Sequence, residues 1–149
     1  MATTKVIGWG KCSAIHTPSG QGATATTYAD IVEGSTSLSV EEGTEQEAPI
    51  EGGEAEARKK QPDKYVLDYE RRIGSASEVT PGFTEDAGTV EIEPEQTGAI
   101  GVTLTGVSLY ISLSFDSTNG LKAHYKYKTK GATDANGALT DITLAAKGS

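Results

Sequence analysis

The chain has 149 residues, 36% of them hydrophobic by type, 18 glycines and a formal net charge of −8. This length suits one domain, residues 1–149, because two domains would each be small and poorly buried. The acidic balance argues against a protein that grips nucleic acid through a basic surface. One Trp, six Tyr and two Phe predict a thin core, which suits an all-β domain.

Cys12 is the single cysteine, so no disulfide forms within the chain, a pattern typical of a reducing compartment. The first residues contain no apolar run of signal-peptide length, and no stretch approaches the roughly 20 apolar residues of a membrane span. We therefore expect a soluble protein, made in the cytoplasm, with no membrane partner.

Strand signals dominate the first forty residues. Residues 23–32 predict a strand or an extended segment, and residues 36–40 alternate as a further strand. Before them, residues 5–15 predict a strand interrupted by glycine, with these side chains on one side: Lys5, Ile7, Trp9 and Lys11.

An exposed, charged insertion spans about residues 41–64. Its acidic part is too polar for a core and predicts a long loop or the arms of an extended hairpin. Residues 54–60 remain open between helix, which their composition favours, and strand. Pro62-Asp63 has the chemistry of a type I turn. The insertion contains seven glutamates: Glu41, Glu42, Glu45, Glu47, Glu51, Glu54 and Glu56.

After this insertion the pattern alternates again. Residues 75–87 predict one short helix, with Ser77 as its cap. Residues 90–94 and 100–104 then alternate as strands. The preceding strand, residues 65–73, has two faces: Tyr65, Leu67, Tyr69 and Ile73 on one, and Asp68, Glu70 and Arg72 on the other.

The clearest element is a hairpin over residues 107–130, followed by a last strand over residues 139–146 with Ile142 and Leu144 inward. The hairpin's apolar face belongs to the core, and its other face is basic. The apolar face contains Val107, Leu109, Ile111, Leu113 and Phe115, then Ala123, Tyr125 and Tyr127; the basic face contains Lys122, His124, Lys126, Lys128 and Lys130.

The register of this hairpin follows from keeping its faces in phase. A two-residue Asn-Gly turn would pair Phe115 with His124 and mix the faces. A three-residue loop over residues 118–120 pairs Ser117 with Leu121, and Gly120 takes the left-handed position of a bulge. We predict the three-residue loop, which also pairs Phe115 with Ala123 and Leu113 with Tyr125.

The search for catalytic chemistry gives no candidate. His16 and His124 belong to no metal-ligand spacing, and nothing nominates a third group to orient a Cys12–His nucleophilic pair. The glycine-rich stretches lack the Gly-Lys-Ser/Thr ending of a phosphate loop. We expect no enzyme, no cofactor, no metal and no small-molecule substrate.

The lysine row has three interpretations: a phosphate-contacting surface, a solvated face that discourages aggregation, or an interface with the glutamates of another copy. The subunit-interface candidates are Glu41, Glu42, Glu45, Glu47, Glu51, Glu54, Glu56, Lys122, Lys126, Lys128 and Lys130.

The order of these segments resembles bacteriophage tail tube (major tail) proteins and related injection or secretion tube proteins. A glycine-punctuated first strand precedes the acidic segment, the charged strand 65–72 and a short Ser/Pro/Gly segment. Paired strands ending in Tyr125-Lys-Tyr-Lys-Thr-Lys-Gly131 close the chain. The likeness covers most of the chain as a pattern, without one diagnostic motif.

The resemblance implies a mainly antiparallel β-sandwich or split barrel with a flanking helix and a long charged hairpin, residues 41–64, that reaches neighbouring subunits. It also implies hexameric rings whose sheets join, stacked into a tube for DNA or effector passage, in a virion tail or an injection-system tube. The expected partners are the chain itself, other tail or tube components, and DNA that passes without specific binding. The alternative is a monomeric β-sandwich that binds carbohydrate or another surface ligand.

Overall fold

The computed structural model describes residues 11–32, 34–49 and 55–147. These residues form antiparallel strands and no helix, which confirms the all-β prediction. The strands are β1 (Cys12–Thr17), β2 (Thr26–Tyr28), β3 (Ser37–Glu41), β4 (Glu45–Pro49), β5 (Ala55–Lys60), β6 (Lys64–Arg72), β7 (Gly82–Pro94), β8 (Ile100–Asp116), β9 (Gly120–Lys128) and β10 (Ile142–Ala146).

Eight strands form one sheet that curls into a half-barrel, with the order β2-β1-β7-β8-β9-β6-β3 and β10 paired with β8. The 17-residue β8 joins two predicted strands into one, and it pairs first with β10 and then with β9. Strands β4 and β5 form a separate two-stranded sheet. The insertion is therefore a hairpin, and residues 55–60 are strand rather than helix.

The connection between β2 and β3 is bonded to the second half of β6. Ile31 bridges to Arg71, and the Val32 amide donates to the Glu70 carbonyl at 2.8 Å. The Ser35 hydroxyl accepts from the Glu70 amide at 3.1 Å and donates to the Val32 carbonyl at 2.6 Å. These bonds cover the half of β6 that β3 leaves unpaired.

The core lies on the concave face of the sheet, where the predicted alternation places apolar side chains. Tyr69, Tyr127, Leu104, Val90 and Val107 are completely buried. The prediction that the whole apolar face of the β8–β9 hairpin belongs to the core is wrong at its tip, where Leu113 is 43% and Phe115 75% exposed. Strand β7 pairs with β8 only as far as Ile111, so beyond that residue β9 is the one described strand that pairs with β8.

The short helix predicted over residues 75–87 is also wrong. Residues 75–78 form one turn, in which the Glu78 amide donates to the Ser75 carbonyl and the Gly74 amide to the Glu78 carboxylate. Strand β7 then begins at Gly82. Pro81 has no amide hydrogen and so cannot donate a helical hydrogen bond. Phe83 pairs with Tyr110 of β8, so this part of the segment is strand.

The β8–β9 hairpin has a three-residue loop that starts one residue earlier than predicted, and each β8 residue pairs two positions earlier on β9 than predicted. Phe115 pairs with Leu121 and Asp116 with Gly120, so the loop is residues 117–119. Asp116 Oδ1 accepts from the Thr118 and Asn119 amides at 2.9 and 2.6 Å, which closes the loop earlier. A shift of two residues in the pairing keeps every side chain on its predicted face. Gly120 has a φ of 72°, in the left-handed region predicted for it.

Three other expected strands differ in extent. The first is β1, Cys12–Thr17, and residues 5–10 of that prediction lie outside the described residues. The second covers only Thr26–Tyr28 of residues 23–32. The last is β10, Ile142–Ala146, in which Ile142 is half-buried but Leu144 is 64% exposed because its strand lies at a sheet edge.

Candidate assembly surfaces

The lysine row of β9 lies on the convex face of the sheet. Two of its lysines form ion pairs with acidic side chains of the same chain. Lys122 pairs with Glu70 at 3.1 Å. Lys128 pairs with Glu41 at 2.7 Å, and this lysine lowers the pKa of that exposed carboxyl by hydrogen bonding and by its charge. These ion pairs explain two predicted interface lysines within one chain.

His124 Nε2 lies 2.9 Å from Asp68 Oδ1, which places this histidine in the same cross-strand pattern. Lys126 and Lys130, in contrast, are exposed and form no ion pair within 4 Å among the described residues. Lys126 acts on Glu41 through its charge alone, so these two lysines are the ones of the row that no acidic side chain of the described residues holds in an ion pair.

The predicted acidic candidates divide between two elements. Glu41 ends β3 and Glu42 follows it, whereas Glu45 and Glu47 lie in β4 and Glu56 in β5. In the β4–β5 register Glu45 is opposite Lys60 and Glu47 opposite Arg58, so the hairpin has an acidic and a basic arm. Glu51 and Glu54 lie outside the described residues.

Two edges of the main sheet expose apolar side chains. Leu38 and Val40 in β3 are 40% and 52% exposed, and Leu144 in β10 is 64% exposed. Among the described strands, β3 pairs only with β6 and β10 only with β8. Strand β10 contains no charged residue and β3 contains one, Glu41 at its end, so neither edge strand has a lysine of the kind that usually discourages strand addition.

A polar cluster around the buried Arg71 was not predicted from the sequence. Arg71 donates to both Asp30 oxygens at 2.8 and 3.0 Å and to the Tyr125 hydroxyl at 2.9 Å. Its guanidinium lies 4.3 Å from the centre of the Tyr28 ring. The alternation of β6 places position 71 on the apolar face, and this was the signal that could have found it. The cluster fixes the β2–β3 connection to the core.

Tyrosine packing completes this cluster. Tyr69 stacks on Tyr125 with ring centres 4.9 Å apart, and its hydroxyl lies 2.8 Å from that of Tyr127. Burial raises the pKa of Tyr69 and of Tyr127 far above the usual value, so both phenols stay neutral. The arrangement orders the interior and provides no nucleophile.

The remaining reactive side chains have structural partners. His16 Nε2 lies 2.6 Å from the Ala87 carbonyl oxygen, and the Cys12 thiol donates to the Thr36 hydroxyl at 3.3 Å. Within residues 11–32, 34–49 and 55–147 no cluster of three His, Cys, Asp or Glu side chains is suited to a metal ion. The same residues include no helix long and apolar enough to cross a membrane.

Comparison with known proteins adds no relative: no protein-family model and no curated protein sequence matches this chain.

Proposed function

We propose that this chain is a structural protein that assembles into rings, hexameric by resemblance, which stack as a phage-tail-like tube for DNA or effector passage. The observation that carries the proposal is the pair of sheet edges with exposed apolar side chains, at β3 and β10. An edge strand with exposed Leu38 and Val40 is an aggregation liability in a monomer. Pairing that edge with the next subunit removes the liability.

Two different edges favour a closed ring over a simple dimer. When β3 of one copy meets a different edge of the next, the contact is heterologous, and repeated contacts close into a ring if the rotation permits. The exposed Leu144 and Ile100, at 64% and 57%, give the β10 side an apolar surface of the kind that Leu38 and Val40 would meet.

The β4–β5 hairpin supports the same proposal. It is a two-stranded sheet separate from the main sheet, and an isolated hairpin of this kind is marginally stable in water. A contact with a neighbouring subunit would order it, as the tube family implies for its long hairpin. The net charge of −8 suits a conduit that DNA passes without binding. The protein would then be located in a virion tail or an injection-system tube.

Strand-edge variants test this proposal. Val40→Lys places a charge on the β3 edge, and we expect it to stay monomeric in sedimentation velocity at concentrations where the unaltered chain forms rings. Val40→Ile keeps an apolar, β-branched side chain at this half-exposed position and should assemble. Equal unfolding midpoints for the two variants would exclude a folding defect. If Val40→Lys assembles at the same concentration as the unaltered chain, β3 is not part of the subunit interface.

A further inference from the structure

The convex face of the sheet exposes two aromatic side chains side by side. Phe83 on β7 is directly opposite Tyr110 on β8, and the next residue in this row is Lys126 on β9. Phe83 is 64% and Tyr110 50% exposed. Directly opposed side chains in a sheet lie about 5 Å apart and act as one surface. The pair is therefore a small apolar area on a mainly polar face.

A groove of about 380 Å³ adjoins this pair. Lys64, Lys128 and Lys130 contribute to it from β6 and from the end of β9, and Phe83 and Glu85 from β7. It lies where β7 bulges, because residues 84 and 88 pair with residues 109 and 107 of β8. The bulge places residues 85–87 of β7 opposite Ser108 alone, and both Glu85 and Ser108 line the groove.

The groove and its surroundings are basic on an otherwise acidic chain. We define the aromatic–lysine patch as Phe83 and Tyr110 together with Lys64, Lys126, Lys128 and Lys130. Three acidic side chains face the patch, namely Glu41, Asp68 and Glu85. Glu41 forms an ion pair with Lys128, and Asp68 lies 2.9 Å from His124. Lysines thus outnumber acids in the patch, whereas the whole chain has a net charge of −8. Its binding partner should be locally acidic.

The chain itself contains a segment with matching chemistry. Residues 41–56 include seven glutamates and no lysine or arginine. Within them, the apolar triplet Ala48-Pro49-Ile50 has Glu45 and Glu47 before it and Glu51 after it. An apolar centre flanked by carboxylates matches two aromatic rings flanked by ammonium groups, in charge and in polarity.

The hairpin of the same copy starts beside the groove, and among the described residues it pairs with no strand of the main sheet. The Gln61 amide donates to the Thr44 carbonyl and the Gly43 amide to the Asp63 carboxylate, which fixes the base of the hairpin next to Lys64. Five residues of extended strand then rise about 16 Å. The hairpin is therefore long enough to contact a second copy.

We propose that the aromatic–lysine patch of one copy binds the glutamate-rich hairpin of a second copy. This inference rests on the proposed self-assembly and identifies the partner surface for the hairpin, which the sheet edges do not. The aromatic pair covers the apolar triplet, and the lysines hold the flanking carboxylates. Lys126 and Lys130 contribute most, since among the described residues neither forms an ion pair within 4 Å, although Lys126 is opposite Asp68.

Cross-linking of isotopically mixed assemblies tests the contact directly. Equal amounts of ¹⁴N- and ¹⁵N-labelled protein are assembled together, and a carbodiimide joins lysines to carboxylates in contact. We expect mixed-isotope peptides that link Lys64, Lys126 or Lys130 to glutamates of residues 45–56. Links from these lysines to the hairpin that are confined to one isotope would overturn the proposal, because the hairpin then binds its own chain. The absence of such links would overturn it as well.

Charge exchange supplies the matched test. Lys126→Glu with Lys130→Glu should raise the concentration for half-assembly at least tenfold, and so should Glu45→Lys with Glu47→Lys. An equal mixture of these two proteins should assemble again, because each patch then meets a hairpin of opposite charge. Lys122→Gln, at a lysine that Glu70 already holds, should change the concentration less than twofold.

The outcomes separate this inference from the proposed function. If the unaltered chain forms rings and the patch variants form them equally well, the patch is not the hairpin's partner, and the self-assembly proposal stands. If the unaltered chain remains monomeric at every concentration and salt condition, both proposals fail.

Discussion

The buried hydroxyl pair of Tyr69 and Tyr127 gives a sharp prediction about the core. Both side chains are completely buried, and their oxygens lie 2.8 Å apart. Tyr69→Phe removes one partner and leaves the Tyr127 hydroxyl without this bond in an apolar site. An unsatisfied buried hydroxyl costs about 1–3 kcal/mol, so we expect the free energy of unfolding to fall by that amount. Tyr127→Phe should have a similar effect for the same reason.

The double variant should cost less than the sum of the two single variants. When both hydroxyls are absent no polar group is left unpaired, and the rings still fill the space. Residues in direct contact typically couple by about 0.5–3 kcal/mol, and we expect a coupling in this range. Urea unfolding followed by circular dichroism, at concentrations below assembly, measures all four corners of the cycle.

Tyr110→Phe is the control, because Tyr110 is half-exposed and the loss of its hydroxyl should change stability by less than about 0.5 kcal/mol. Additive effects of the two buried substitutions would refute the reasoning, since they would mean that the hydroxyls do not depend on each other.

Three further predictions concern single positions. Gly88→Ala should destabilise by about 1–3 kcal/mol or more, because a Cβ there would meet the Thr17 carbonyl and φ is +87°; Gly106→Ala, at φ +66° with open space, should cost less by the same denaturation assay. The hydrogen bond from Arg71 lowers the pKa of Asp30 in the folded protein. The stability difference between the unaltered chain and Asp30→Asn should therefore be constant above the unfolded pKa of about 3.9 and vanish as the pH falls through the folded pKa. Acid titration of both proteins at fixed urea measures this difference. Asp116→Ala should speed hydrogen exchange of the Thr118 and Asn119 amides, which lose their acceptor, and unchanged exchange would contradict the role given to that carboxylate.

Alternation of side chains predicted most of the fold because a strand with one buried face repeats every two residues. It placed Leu67 and Tyr69 on the apolar side of their strand and assigned Tyr127 to the core, and all three are buried. Two pairings that differ by two residues place the same side chains on each face, so alternation does not distinguish between them. The loop position depended on the Asp116 side chain, whose bonds to two loop amides are a local effect that the hydrophobic pattern does not contain.

The candidate surfaces were predicted only in part. The lysine row was found, but its intrachain acids lie on β6 and β3, and the order β8-β9-β6-β3 is not readable from one sequence. The Asp30–Arg71 pair joins residues 41 positions apart, so no local period connects them. Phe83 lies in a segment that was predicted to be helical, so its pairing with Tyr110 was not predicted.

The central proposal is that this chain assembles through its sheet edges into rings that stack. The most direct measurement is negative-stain microscopy of the purified full chain, with sedimentation velocity, across a range of concentrations and salt. We predict closed rings of uniform size that stack into tubes as concentration rises. A single monomeric species under every condition would contradict the account.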